Sequence, residues 1–161
     1  MKVTATMMAG CLAAAATLAA AHAAPPAGAQ SPSSTQSPNA GPPPGSVWEG
    51  AYTPDQSRRG EAIYRQECST CHGQALTGNG EEGAPLSGPT FTSNWNGLTV
   101  GDIFERIRIT MPTTRPGKLT RQQNADVLAF ILSVNKFPAG KAELPPDAPR
   151  LKLIRFEATK P

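Results

Sequence analysis

Charge is missing from the first third of this 161-residue chain: no Asp, Glu, Lys or Arg stands between Lys2 and Glu49. The gap has two parts. Residues 3–21 are an almost unbroken run of small apolar side chains behind the single positive Lys2, and Ala21-His22-Ala23 has the small-x-small form of a signal-peptidase site. The run is mostly Ala and is followed at once by Pro25 and Pro26, too weakly apolar for a membrane anchor. We therefore expect a signal peptide over residues 1–23, cut after Ala23. Met8-Ala9-Gly10-Cys11 loosely resembles a lipobox, which leaves lipidation at Cys11 as the alternative. The better apolar stretch lies beyond Cys11, at residues 12–21, so Cys11 and His22 are expected to leave with the leader. Residues 24–46 are rich in Pro, Ala, Ser and Gly and show no apolar period. Such a composition buries too little surface to offset chain entropy, and it reads as a flexible linker.

Removal of that leader makes reactive residues scarce. Two cysteines remain, Cys68 and Cys71, with one histidine, His72, and one methionine, Met111. The formal charge falls from +3 to +2, because Lys2 is lost and no acid with it. So mild a balance excludes nucleic acid as the expected partner. No internal repeat is visible.

The folded domain is expected over residues 47–137, with 138–161 as a C-terminal extension that wraps it. Thr53-Pro54-Asp55-Gln56 has the form of a helix start, with Thr53 as N-cap, Pro54 at the first helical position and Gln56 completing a capping box. That helix runs to about Glu67 with Gly60, Ile63 and Tyr64 on its inner face. Residues 73–96 are rich in Gly, Pro, Thr and Asn and read as a long loop, of the kind that is functional or wrapped around something. Residues 99–110 form a second helix with Ile103, Phe104 and Ile107 on one face, ended by Met111-Pro112. Thr120 caps a third, residues 121–134, lined inside by Val127, Leu128, Ile131 and Val134. Residues 151–156 have the composition of one short strand without an evident partner. The prediction is a mainly α fold of three to four helices and long loops. Its apolar residues are few for the length of those loops, a shortage that a bound cofactor at the centre would resolve.

Cys68-Ser69-Thr70-Cys71-His72 has the C-x-x-C-H form of covalent c-type haem attachment. Two thiols so spaced can form thioethers with the two vinyl groups of one porphyrin. The next residue, His72, can then present its imidazole to the iron. Three other readings use the same residues. A disulfide suits two close cysteines in an exported chain. A thioredoxin-like pair expects a βαβ pattern, whereas here a helix precedes the motif and a Gly-rich loop follows. A zinc site takes four ligands, which would need a carboxylate added to these three. Haem electron carriers are often held by His and Met, and Met111 is the remaining methionine, placed at a helix end before Pro112. The alternative for a lone Met is core filler. A thioether ligand favours the ferrous state and closes the position where oxygen would bind, so it suits electron transfer rather than catalysis.

These residues resemble class I c-type cytochromes over residues 52–138. The likeness rests on Gly60-x-x-x-Tyr64, the Cys68 to His72 signature, Ala84-Pro85-Leu86, Met111-Pro112 and Asp126-x-x-Ala129-Phe130. It implies a cytochrome c fold in which the first and last helices cross at Gly60, Tyr64 and Phe130. It also implies a backbone carbonyl near Pro85 accepting the proximal His proton, and Trp95 beside the haem propionates. Bacterial periplasmic monohaem carriers, and haem modules of periplasmic dehydrogenases, are the similar kinds.

The expectation is a periplasmic one-electron carrier, not an enzyme, with one haem c bound through Cys68 and Cys71 and ligated by His72 and Met111. Its partners would be a redox donor and a redox acceptor, with no membrane span in the mature chain. The alternative is the haem c subunit of a periplasmic dehydrogenase complex. A basic cluster, Arg106, Arg108, Arg115, Lys118 and Arg121, is either a steering patch for an acidic partner or a solvated helix face.

Overall fold

The structure, a computed structural model, describes residues 43–161. The predicted signal peptide, Cys11 and most of the predicted linker lie outside the described residues. After a 3-10 turn at Val47–Glu49 come α1 (Pro54–Glu67), α2 (Ser69–His72), α3 (Gly88–Trp95), α4 (Val100–Thr110), α5 (Arg121–Val134) and α6 (Ala148–Leu151). The described residues are mainly helical and contain no strand. Two isolated bridges, both at Arg155, pair it with Ser46 and Thr99. No helix among them is long and apolar enough to cross a membrane.

Two of the three long helices begin at the caps expected, Thr53 and Thr120, and the third begins at Thr99, where its helical stretch was placed. Thr99 and Asp102 close a capping box over α4, and Thr120 and Gln123 close one over α5. At α1 the Thr53 hydroxyl accepts from Gln56 N at 3.1 Å. The Gln56 side chain does not complete that box, however. It is fully buried and turns inward, donating Nε2 to Leu144 O at 3.0 Å and accepting from Leu144 N at 2.8 Å. A tertiary pairing has taken the group that local capping would have used. α4 stops as expected at Met111, which is extended ahead of Pro112.

Three shorter helices depart from the sequence reading. α2 is one turn formed by the C-x-x-C-H segment itself. α3 lies within residues 73–96, which composition marked as loop; its Ser87 N-cap and early Pro89 are a legitimate helix start that the surrounding glycines obscured. α6 overlaps the expected strand at residues 151–156. With one bridging residue on each side of it there is no neighbour to pair with, and the chain coils instead.

α1 and α5 cross in close contact. A Cβ on Gly60 would stand 1.8 Å from Asp126 O, so only glycine admits the approach. Beside it the Tyr64 and Phe130 rings meet at 5.3 Å and 54°. Arg59 on α1 holds the nearly buried Asp126 on α5 through two hydrogen bonds of 3.1 Å and also reaches Glu143 at 2.8 Å. The segment after Pro138 is part of the core. Leu144, Leu151, Ile154 and Phe156 are buried, and Phe156 packs edge-on against Phe91 and Phe137. The apolar residues that seemed too few are thus supplemented by the chain's own tail.

Candidate functional site

A cleft of about 740 Å³ opens between the α1–α2 corner, α3, α4 and α5. Cys68, Cys71, His72 and Met111 all line it. The rest of its wall is largely apolar, with Leu86, Phe91, Trp95, Ile103, Ile107 and Ile131 prominent.

Local backbone sets the first three of those groups. α2 turns tightly on the Cys68 carbonyl, which accepts from Cys71 N at 3.2 Å and from His72 N at 3.0 Å. Cys68 and Cys71 are free thiols. Burial first, then the nearby Glu67 and Cys71, pushes the Cys68 thiol up to about 11, so it stays neutral at ordinary pH. No cluster of three or more His, Cys, Asp or Glu among the described residues is placed to hold a metal ion.

The loop after the motif folds back onto it. A Cβ on Gly83 would stand 2.2 Å from Cys71 O, a contact only glycine tolerates. This brings Ala84 O to 2.7 Å from His72 Nδ1. A carbonyl can only accept, so Nδ1 carries the proton and Nε2 is left with its lone pair. The acceptor expected near Pro85 is therefore the carbonyl of the residue before it. Tyr64 donates its hydroxyl to Gly73 O at 2.6 Å, tying α1 to the end of the motif. Burial, with a smaller effect from Cys68, holds that phenol up at about 12, so it remains a donor.

Met111 arrives from the other side as the residue that caps the end of α4. Its N–H bonds Ile107 O at 2.9 Å, and the extended backbone that follows directs the chain away from the helix. Trp95 also stands in the cleft wall. Of the basic cluster, Arg108 pairs with Glu105, and Arg115 and Lys118 both pair with Glu67, an acid that proximity in sequence did not reveal. Three of the five cations are thus engaged by two carboxylates within the molecule, which weakens the steering reading.

Two unbonded thiols, an imidazole with a bare Nε2 and a thioether meet in an apolar cleft of the size that small cofactors fill. That donor set fits a haem. Sequence reasoning missed Ala84, Gly83, Phe91 and Glu67. Ala84 contributes a backbone atom, on which residue type is silent, and Glu67 is identified only by contacts remote in sequence.

A family model described as cytochrome C oxidase, cbb3-type, subunit III matches residues 55–131. No curated protein matches the chain. The crystal structure of the sulfane dehydrogenase SoxCD from Paracoccus pantotrophus is similar at 20% identity over 56% of this chain, with a TM-score of 0.41. The match spans 53% of that chain, about half its length.

Proposed function

Residues 55–131 are a class I c-type cytochrome domain, and from that premise we propose that the chain is a periplasmic one-electron carrier with a single covalent haem c. The observation that carries the reading is the convergence of Cys68, Cys71, His72 and Met111 on one apolar cleft. Haem iron supplies a ferrous–ferric couple, so electrons pass singly between redox partner proteins. In this reading Cys68 and Cys71 anchor the ring as thioethers, which makes its loss from an exported protein negligible. His72 ligates through Nε2, its ring fixed by the Nδ1 bond to Ala84 O, and that bond also raises its basicity as a ligand. Met111, which lines the same cleft, would supply a thioether as the second protein ligand and would so exclude small ligands. The apolar walls keep water from the ring. No general base or substrate pocket is required, so the chain is proposed not to be an enzyme. The periplasmic location is proposed from the leader.

The test is export from a host that matures c-type haem, followed by a pyridine haemochrome assay and visible spectra of both oxidation states. The expected result is one covalent haem per chain and a far-red ferric band from the Met sulfur. That band should vanish in Met111→Ala, whose reduced form should gain carbon monoxide binding. Haem without the band in the native chain overturns the Met111 assignment. A colourless product overturns the whole reading.

A further inference from the structure

The loop that carries Met111 is loosely held on its own account. Residues 113–118 are all exposed, and the next buried side chain is Leu119. Its ion pairs to another element, among the described residues, both go to Glu67. Lys118 Nζ takes Oε1, and Arg115 reaches Oε2 at 3.4 Å.

Glu67 is oddly placed for a residue of α1. It is the last residue of that helix, where a carboxylate opposes the dipole. Its side chain is nonetheless only 16% exposed. A local choice that disfavours its own helix signals a role elsewhere. Glu67 precedes Cys68 directly, and Glu67 and Arg115 both line the cleft. The pairs therefore join the helix end that presents the first cysteine to the loop that presents the methionine. Mainly the Lys118 bond, with Arg115 adding to it, holds the Glu67 carboxyl below its ordinary value.

We propose that Glu67, Arg115 and Lys118 form a clasp across one edge of the cleft that positions Met111. The inference rests on the reading of Met111 as an axial ligand. An outside ligand reaches the iron only when the loop opens locally, and opening breaks the clasp. The clasp thereby slows and weakens displacement of the thioether. Salt loosens it, because partly exposed charges are screened.

The test uses the ferric holoprotein titrated with imidazole, following loss of the far-red band. Glu67→Gln is expected to tighten apparent imidazole binding about three- to tenfold. The double change Arg115→Gln with Lys118→Gln should do the same while leaving α1 untouched. Added salt should tighten binding to the native protein and have little effect on either variant. Glu61→Gln, which removes the Arg65 pair elsewhere on α1, serves as the control and should leave affinity unchanged. If the native protein shows the band and both neutralised proteins bind imidazole as it does, the clasp is wrong, whatever happens to their thermal stability. If the native protein lacks the band, the axial assignment fails and the clasp fails with it.

Discussion

Gly60 shows how little freedom one atom leaves at a helix crossing. An added methyl would overlap Asp126 O, a backbone atom that cannot swing aside. Gly60→Ala must separate α1 from α5, and it should cost about 1–3 kcal/mol or more, as overpacking does. Denaturant unfolding of the holoprotein measures it, and a stability equal to native would contradict the crossing. Asp102 makes a different kind of local contribution. Its carboxylate accepts from the Thr99 hydroxyl at 2.7 Å and from Thr99 N at 2.9 Å, and these bonds hold its carboxyl below the ordinary 3.8. A depressed folded value means that the stabilisation is fully present above the unfolded value and is lost as pH falls through the folded one. The native chain should therefore lose stability below about pH 4 more steeply than Asp102→Asn. Acid titration of the unfolding midpoint would show parallel curves if the capping bond were absent. Both residues lie in stretches where sequence was informative: residues 99–110 were read as helical, though the Thr99 cap itself was not, and Gly60 was placed on the inner face of its helix and in the family motif.

Among the elements, α1, α4 and α5 were legible because each carries a cap, a periodic inner face and a stop within a few neighbouring residues. α3 was hidden by glycines on both sides. Ile154 and Phe156, just beyond α6, suggested a strand over residues 151–156, and with no neighbouring strand among the described residues that segment coils. Gln56 marks the limit of reading caps from sequence. Its amide serves a backbone unit 88 residues away rather than its own helix start. Gln56→Ala would leave a buried N–H and a buried C=O at Leu144 without partners. The cost should be about 2–4 kcal/mol, most of it desolvation of those two groups. The far-red band should survive, because neither group touches the cleft. Loss of the band along with stability would mean that the tail and the cleft are coupled.

For the molecule as a whole, the C-terminal segment does more than wrap the domain: it completes the core. Leu144, Leu151, Ile154 and Phe156 bury fully, Arg155 pairs with residues 45–47 through its backbone, and Trp48 donates to Glu157 O at 2.9 Å. A chain ending at Pro138 should keep the C-x-x-C-H segment and Met111 yet fail to accumulate as a soluble, coloured protein. Recovery of full haem content and native unfolding from that truncation would show the tail to be dispensable. The depth at which it packs could not be read locally, and the reason is physical. A strap of scattered Leu, Ile and Phe with no period has no local signature, and its burial is decided by the surface it lies on.

By itself the sequence determined the chemistry on offer: two spaced thiols, an imidazole beside them, one methionine before a proline, and three capped helices. Each is written in contiguous residues, where backbone geometry and capping act over four or five positions. Tertiary structure alone decided which groups those residues would meet. Ala84 O lies 12 residues from His72, Lys118 51 from Glu67, and Leu144 88 from Gln56. Such pairings depend on loop closure and on which surfaces come together, and neither is visible from the identity of either partner.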